Sequence, residues 1–268
     1  MRFHKVLDKL NFLTGLPRSG NTLIASILNQ NPAIHASPHS PLVELLWRAQ
    51  TLLAGEELKM FPHTAPLIHT LKSIPKAYYS HCSADLILDR GTWGCPENLT
   101  MITEYITPTP KFLVLVRPIE EVIVSFLRLA QRNPDSPLAS ISSVTEQFEY
   151  IVNNLTMFRK GLLAVLSLHA NRDRYQSLFI DYNNFVSDPA QELEKIYTFF
   201  ELPSFTHSFT NIQQLTIDSI TYDDSGFDFP DLHKLREHNV SKAECVVEDY
   251  LPLEIIQECR DFNVWLKE

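Results

Sequence analysis

The sequence predicts an α/β fold: three layers, with a central parallel sheet and helices on both of its faces. Three observations carry that expectation. The strand candidates are short, nearly continuous apolar runs, as strands buried on both faces of a parallel sheet are. Segments with apolar residues at helical spacing separate them. The first run passes through a glycine loop straight into a helix, in "FLTGLPRSGNTLIASILNQNP" (12–32).

Taken in order, the strands are 10–16 (LNFLTGL), 84–90 (ADLILDR), 111–117 (KFLVLVR) and 177–182 (SLFIDY), with a further short strand before His39. Helices are expected over 22–30 and 41–54, from Pro118 at a first helical position, over 144–169, over 188–200 and over 251–266. Glu120 and Glu121 follow Pro118, where the positive end of a helix dipole favours carboxylates. Asp188, Pro189 and Glu192 have the order of an N-cap, a first-turn proline and an acidic third position. Residues 204–250 are polar and loop-rich and read as a cover, and 251–266 as a closing helix. The 268 residues show no repeat or long linker, so one domain over 1–268 is expected.

Apolar content of 44% and charged content of 21% belong to a globular enzyme. The net charge of −9 argues against general binding to nucleic acid or an anionic membrane, so any cationic site is local. No apolar run reaches a membrane span and the first residues lack a signal-peptide core, which reads as cytoplasmic. Cys82, Cys95, Cys245 and Cys259 form no C-x-x-C pair and read as reduced thiols. Glycine is sparse, seven in all, and four of the seven (Gly15, Gly20, Gly91, Gly94) follow predicted strands, where backbone turns sharply or approaches a ligand.

The opening loop has the G-x-x-x-x-G spacing of a phosphate loop, but Asn21 stands where lysine is usual and Arg18 lies inside. Free N–H groups at the helix start would hold an anion, with Ser19 and Thr22 offering hydroxyls and Arg18 the charge. A second anion site is expected at Arg117, at a strand's C-terminal end. Ser125 lies about 80° further round the following helix, with Arg128 one turn on. Two further carboxylates, Asp89 and Asp181, end strands as the magnesium carboxylate of a phosphate-loop kinase does. A metal-dependent kinase is therefore one alternative, though its lysine is missing. A non-catalytic nucleotide-binding relative is another.

"GLPRSGNTL", then "VLVRPIEEVIVSF", then "FIDYNNFVSDPAQELEKIYTFFELP" together resemble the sulfotransferase family over most of the chain, especially its tyrosylprotein and bacterial branches. The resemblance implies a fold related to nucleotide kinases, with 3′-phosphoadenosine 5′-phosphosulfate (PAPS) as donor, a hydroxyl-bearing acceptor as partner, and no metal. Arg18, Ser19, Gly20, Asn21 and Thr22 would hold the 5′-phosphosulfate, and Arg117 and Ser125 the 3′-phosphate. Tyr182 would lie near the adenine, with Trp93 as a candidate wall of the adenine or acceptor pocket or, equally, a core anchor. Lys234 and Arg236, in "LHKLR", would belong to the cofactor-covering loop. Where the family has a lysine that supports the bridging oxygen, this chain has Arg90, which keeps the charge but cannot give up a proton near neutral pH. The position 21 residues beyond Arg18, where the tyrosylprotein branch has a glutamate base, is His39. Its imidazole suits proton abstraction, with Glu44 in reserve. In this reading His39 is the base, and Arg18 and Arg90 stabilise the sulfuryl and bridging oxygens.

Overall fold

The computed structural model describes residues 5–61, 63–214, 216–217, 220–221, 224, 232–235, 239–241 and 245–266. In chain order its elements are α1 (Lys5–Lys9), β1 (Leu10–Gly15), α2 (Asn21–Leu28), β2 (Ile34–Ala36), α3 (Leu42–Leu53), α4 (Glu56–Lys59), α5 (Ala65–Tyr78), β3 (Leu86–Arg90), α6 (Pro96–Tyr105) and β4 (Lys111–Val116). There follow α7 (Ile119–Arg132), α8 (Val144–Asn153), α9 (Thr156–Ala170), β5 (Gln176–Asp181), α10 (Tyr182–Ser187), α11 (Pro189–Phe199), the two-residue strands β6 (Thr216–Ile217) and β7 (Ile220–Thr221), and α12 (Leu253–Phe262).

Strands β1 to β5 form one parallel sheet in the order β2-β3-β1-β4-β5. Successive side chains of a strand point to opposite faces, and here that alternation divides the core. Phe12 and Phe112 pack with Trp93, Ile123, Ile151 and Phe158 on one face, under α3, α6, α7, α8, α9 and α12. Leu13 and Leu113 pack with Ile24, Phe185 and Ile196 on the other, under α2, α10 and α11. Both faces are covered, which is why the strand sequences carry no polar alternation. The expected three-layer α/β/α architecture is the one observed.

Several boundaries differ from the expectation. Residues 144–169 form two helices rather than one, because Leu155 is extended (φ −78°, ψ 96°) and buried between them. The amides of Asn154 and Leu155 both bond back to Tyr150 O, closing α8. Pro118 is the N-cap of α7, not its first helical residue, and Glu120 and Glu121 do lie in the first turn. The closing helix ends at Phe262 and gives way to a 3-10 turn, Val264–Leu266. Buried Asn263 fastens that end to α7, accepting from Ile119 N and donating to Glu120. The spacing of apolar residues does not reveal α4, α5 and α6.

Two features of α9 bear on the site. Gly161 lies against Pro17 and Gly15 O, and Gly94 of the loop after β3 lies against Ala164 O and Leu168 of α9. No helix among the described residues is long and apolar enough to cross a membrane.

Candidate functional site

Strand order reverses at β1. The chain runs from β1 to β2 and back to β3 on one side, then crosses to β4 and β5 on the other. The crevice that such a reversal opens at the strands' carboxyl ends is the usual ligand position in open α/β sheets. A cavity of about 1280 Å³ occupies it, lined by the loop after β1, the ends of β3 and β4, α7, α9, the 38–44 segment and residues 232–235.

The phosphate loop is built as its spacing implies. Gly15 has φ +145°, and a Cβ there would stand 2.1 Å from Leu115 O, inside the neighbouring strand. Gly20, at φ +78°, is the N-cap of α2; no side chain caps this helix and its first turn holds no acidic residue. The positive helix end and its unbonded N–H groups are left facing the cavity. Arg18 also has positive φ, 62°, a conformation that costs a non-glycine residue about 1 kcal/mol.

That backbone twist sends the Arg18 side chain towards the second anion site. Its Nε donates to Ser125 Oγ at 3.2 Å and its Nη1 to Leu232 O at 2.9 Å. Arg117 donates from Nη1 to Arg18 O (3.3 Å) and from Nε to Glu121 (2.9 Å), and stacks 4.6 Å from the Tyr182 ring centre. Those bonds leave three of its five N–H groups. Arg18, Arg117, Ser125 and Tyr182 thus converge on one end of the cavity, with Arg128 beside them in its wall.

Arg90 takes the other end. Asn21 donates to Leu16 O and accepts from Arg90 Nε at 2.9 Å. Arg90 also donates to Gly91 O at 3.1 Å. The guanidinium therefore sits beside the position where a phosphate loop usually has its lysine. Burial lowers its pKa to about 10, against the opposing pull of Asp89, so it stays a cation at neutral pH.

His39 shares this wall. Ser37 Oγ accepts from Arg90 N, and Ser40 N donates to Arg90 O, so the segment carrying His39 is clamped to the end of β3. The ring is exposed to the cavity, yet the surrounding protein withdraws it from bulk water. Burial first, then Arg90 and His233, lower its pKa to about 4, while Asp224 opposes them. His39 is then neutral in the fold between pH 4 and 6.5, where the unfolded chain binds a proton. Its contribution to stability therefore rises with pH through that window. NMR titration of the ring should give a midpoint near 4, moving up in Arg90→Gln. A midpoint of 6 or above would remove His39 from this cationic wall.

Other expected residues fall elsewhere. Trp93 is fully buried, 4.9 Å from Phe12 between ring centres, and donates to Asp89; it anchors the loop and does not line the cavity. Ser19 is fully buried, with its hydroxyl unpaired among the described residues, and is also absent from the wall. Glu44 lines the cavity from the first turn of α3, but pairs with Arg48 at 2.6 Å. Thr22 and Lys234 line the cavity; Arg236 lies outside the described residues.

Neither of the two strand-end carboxylates is among the residues lining the cavity. Asp89 is fully buried and accepts from Ser40, Tyr79 and Trp93. Asp181 caps α10 through the amides of Asn183 and Asn184. Sequence reasoning missed a second histidine at the site. His233 and Asp224, in the polar 204–250 stretch, pair at 2.6 Å next to His39. Their one signal is the position of His233 in LHKLR, within a segment already read as the cover. Met157 and Lys160 of α9, which also line the cavity, gave no signal of their own.

Known proteins share this fold. The family model described as "Sulfotransferase family" matches residues 12–207. No curated protein matches the chain significantly. Among solved structures, the sulfotransferase domain from the curacin biosynthetic pathway is similar over 96% of this chain and 96% of its own, at TM-score 0.61 and 17% identity. The sulfotransferase domain of the Synechococcus PCC 7002 olefin synthase is similar over 95% and 94%, at TM-score 0.51 and 19% identity. A mouse sulfotransferase complexed with PAP covers 97% and 87%, at TM-score 0.52 and 16% identity. Identities this low speak for the fold, and the family match extends over most of the sequence: the chain belongs to the sulfotransferase family.

Proposed function

We propose that this protein transfers the sulfuryl group of PAPS to an acceptor hydroxyl. The observation that carries the proposal is the union, in one cavity, of an uncapped phosphate loop with a second cationic site at Arg117, Ser125 and Arg18. An ordinary nucleotide has no group for that second site; a 3′-phosphate fills it. Tyr182, between Gly20 and Arg117, suits the adenosine that joins the two anions.

In this mechanism the acceptor oxygen attacks sulfur in line as the bond from sulfur to the bridging oxygen breaks. His39, neutral at pH 7, takes the acceptor's proton. Arg90 stabilises the charge that grows on the bridging and sulfuryl oxygens. Arg18 serves the 3′-phosphate end, as its hydrogen bonds suggest, rather than the sulfuryl group. The products are a sulfate ester and adenosine 3′,5′-bisphosphate. The mouse relative's complex with PAP is in keeping with that donor.

Calorimetric titration tests the donor. Adenosine 3′,5′-bisphosphate should bind well, AMP weakly, and Arg117→Ala should cost the bisphosphate at least about tenfold while AMP changes little. Binding of ATP with magnesium in preference to the bisphosphate would point instead to a kinase and overturn the proposal.

A further inference from the structure

The covering segment brings a built histidine–carboxylate pair to the wall where His39 lies. Asp224 is buried and both of its oxygens serve one residue: Oδ2 accepts from His233 N at 2.7 Å and Oδ1 bonds His233 Nδ1 at 2.6 Å. A carboxylate on Nδ1 selects the tautomer with its proton there and leaves Nε2 as an acceptor. The backbone around the ring is held as firmly. Gln214 donates to His233 O and accepts from Leu235 N, and Arg18 donates to Leu232 O. His233 lines the cavity, and its ring centre is 5.9 Å from that of His39, at an interplanar angle of 44°. One bridging water spans that gap.

We propose that His233, held by Asp224, is the end point of the proton's path: it receives from His39 the proton that leaves the acceptor hydroxyl. This rests on the sulfuryl-transfer function proposed above. The acceptor's O–H proton passes to one ring nitrogen of His39 as the new S–O bond forms. The proton on the other His39 nitrogen passes to His233 Nε2. The Asp224 carboxylate on Nδ1 offsets the charge of the resulting imidazolium, which later gives its proton to solvent. His233 acts through His39 and so positions and completes the base.

The arrangement answers a chemical need. A base held at about 4 is a weak acceptor for a hydroxyl proton at pH 7, since proton abstraction is most effective when the base's pKa lies near the working pH. Among the described residues, the charged and titratable groups around His39 are Arg90 at the end of β3, His233 and Asp224 from the cover, and Glu44 on α3. Of these, the His233–Asp224 pair combines an accepting nitrogen with a carboxylate that compensates the incoming charge. A histidine oriented by a carboxylate is the arrangement that serine hydrolases use to make imidazole an effective base.

Chemical rescue tests the proposal. PAPS turnover is measured with a panel of phenol, primary alcohol and sugar acceptors, and the best acceptor is carried forward. His233→Ala should lower kcat/KM by about a hundredfold, keep bisphosphate affinity within about threefold by calorimetry, and regain about tenfold or more on addition of imidazole. His233→Asn, which retains a hydrogen-bonding side chain towards Asp224, should show the same loss. Asp224→Asn should be impaired without rescue, because its ring is present but mis-set.

Turnover of His233→Ala within about twofold of wild type would overturn the proposal, as would a loss that imidazole leaves unchanged while bisphosphate binding survives. The second result would make His233 a structural part of the cover. A wild-type chain that binds the bisphosphate but turns over no acceptor would bring down the transferase proposal itself, and this one with it.

Discussion

Arg90→Ala is expected to lower the rate of sulfuryl transfer by about a hundredfold to a thousandfold, with the affinity for PAPS itself, measured without acceptor, changed by no more than about threefold. The guanidinium stands beside Asn21, at the end of the cavity away from Arg117 and Ser125. Its stabilisation therefore grows as charge collects on the departing oxygen and is small in the bound ground state. Arg90→Lys separates charge from shape. A lysine keeps the cation but cannot join Asn21 Oδ1 and Gly91 O at once, as the planar fork does. An intermediate rate is expected. Single-turnover kinetics beside calorimetry decides the matter, and an undiminished rate in Arg90→Ala would take the residue out of the chemistry.

The largest effect on stability is expected from Gly15→Ala. Here two costs coincide. At φ +145° an alanine is strained wherever it has room, and it has none: its Cβ would meet Leu115 O at 2.1 Å and Leu115 N at 2.7 Å. Those atoms are backbone in β4, and Leu115 O already accepts from Leu16 N at 3.0 Å. Relief requires β1 and β4 to part at the centre of the sheet. A loss of more than about 3 kcal/mol in urea unfolding is expected, with bisphosphate binding lost in whatever fraction still folds. Stability within about 1 kcal/mol of wild type would show that the loop backbone has another conformation open to it.

The glycine spacing and Arg117 could be read from the sequence because each has a local signature, a fixed interval and a strand end, whereas His39 was reached through the family resemblance, by its interval from Arg18. The four main strands were legible because continuous apolar runs leave few other options. What was not legible depends on distant parts of the chain. Whether Trp93 faces a ligand or the core is settled by Phe12 on β1, about eighty residues earlier, and nothing near residue 93 announces that contact. The direction of Arg18 follows from a positive φ that arginine does not advertise. The pairing of His233 with Asp224 spans nine residues of polar chain and gains its meaning from His39, almost two hundred residues earlier. The helix break at Leu155 was hidden for a related reason: a buried leucine fits the apolar rhythm whether its backbone is helical or extended.

The docking of α9 has a mechanical consequence. Gly161 rests on the donor loop at Gly15 and Pro17, and three residues later Ala164 carries Gly94 of the loop that follows Arg90. Both loops share one abutment. A thermal displacement of the helix carries them together, in common mode, so the interval between the anion cradle and the Arg90 guanidinium fluctuates less than either loop does against the rest of the molecule. The rate of a reaction that depends on that interval is thereby insulated from the motion of either loop taken alone.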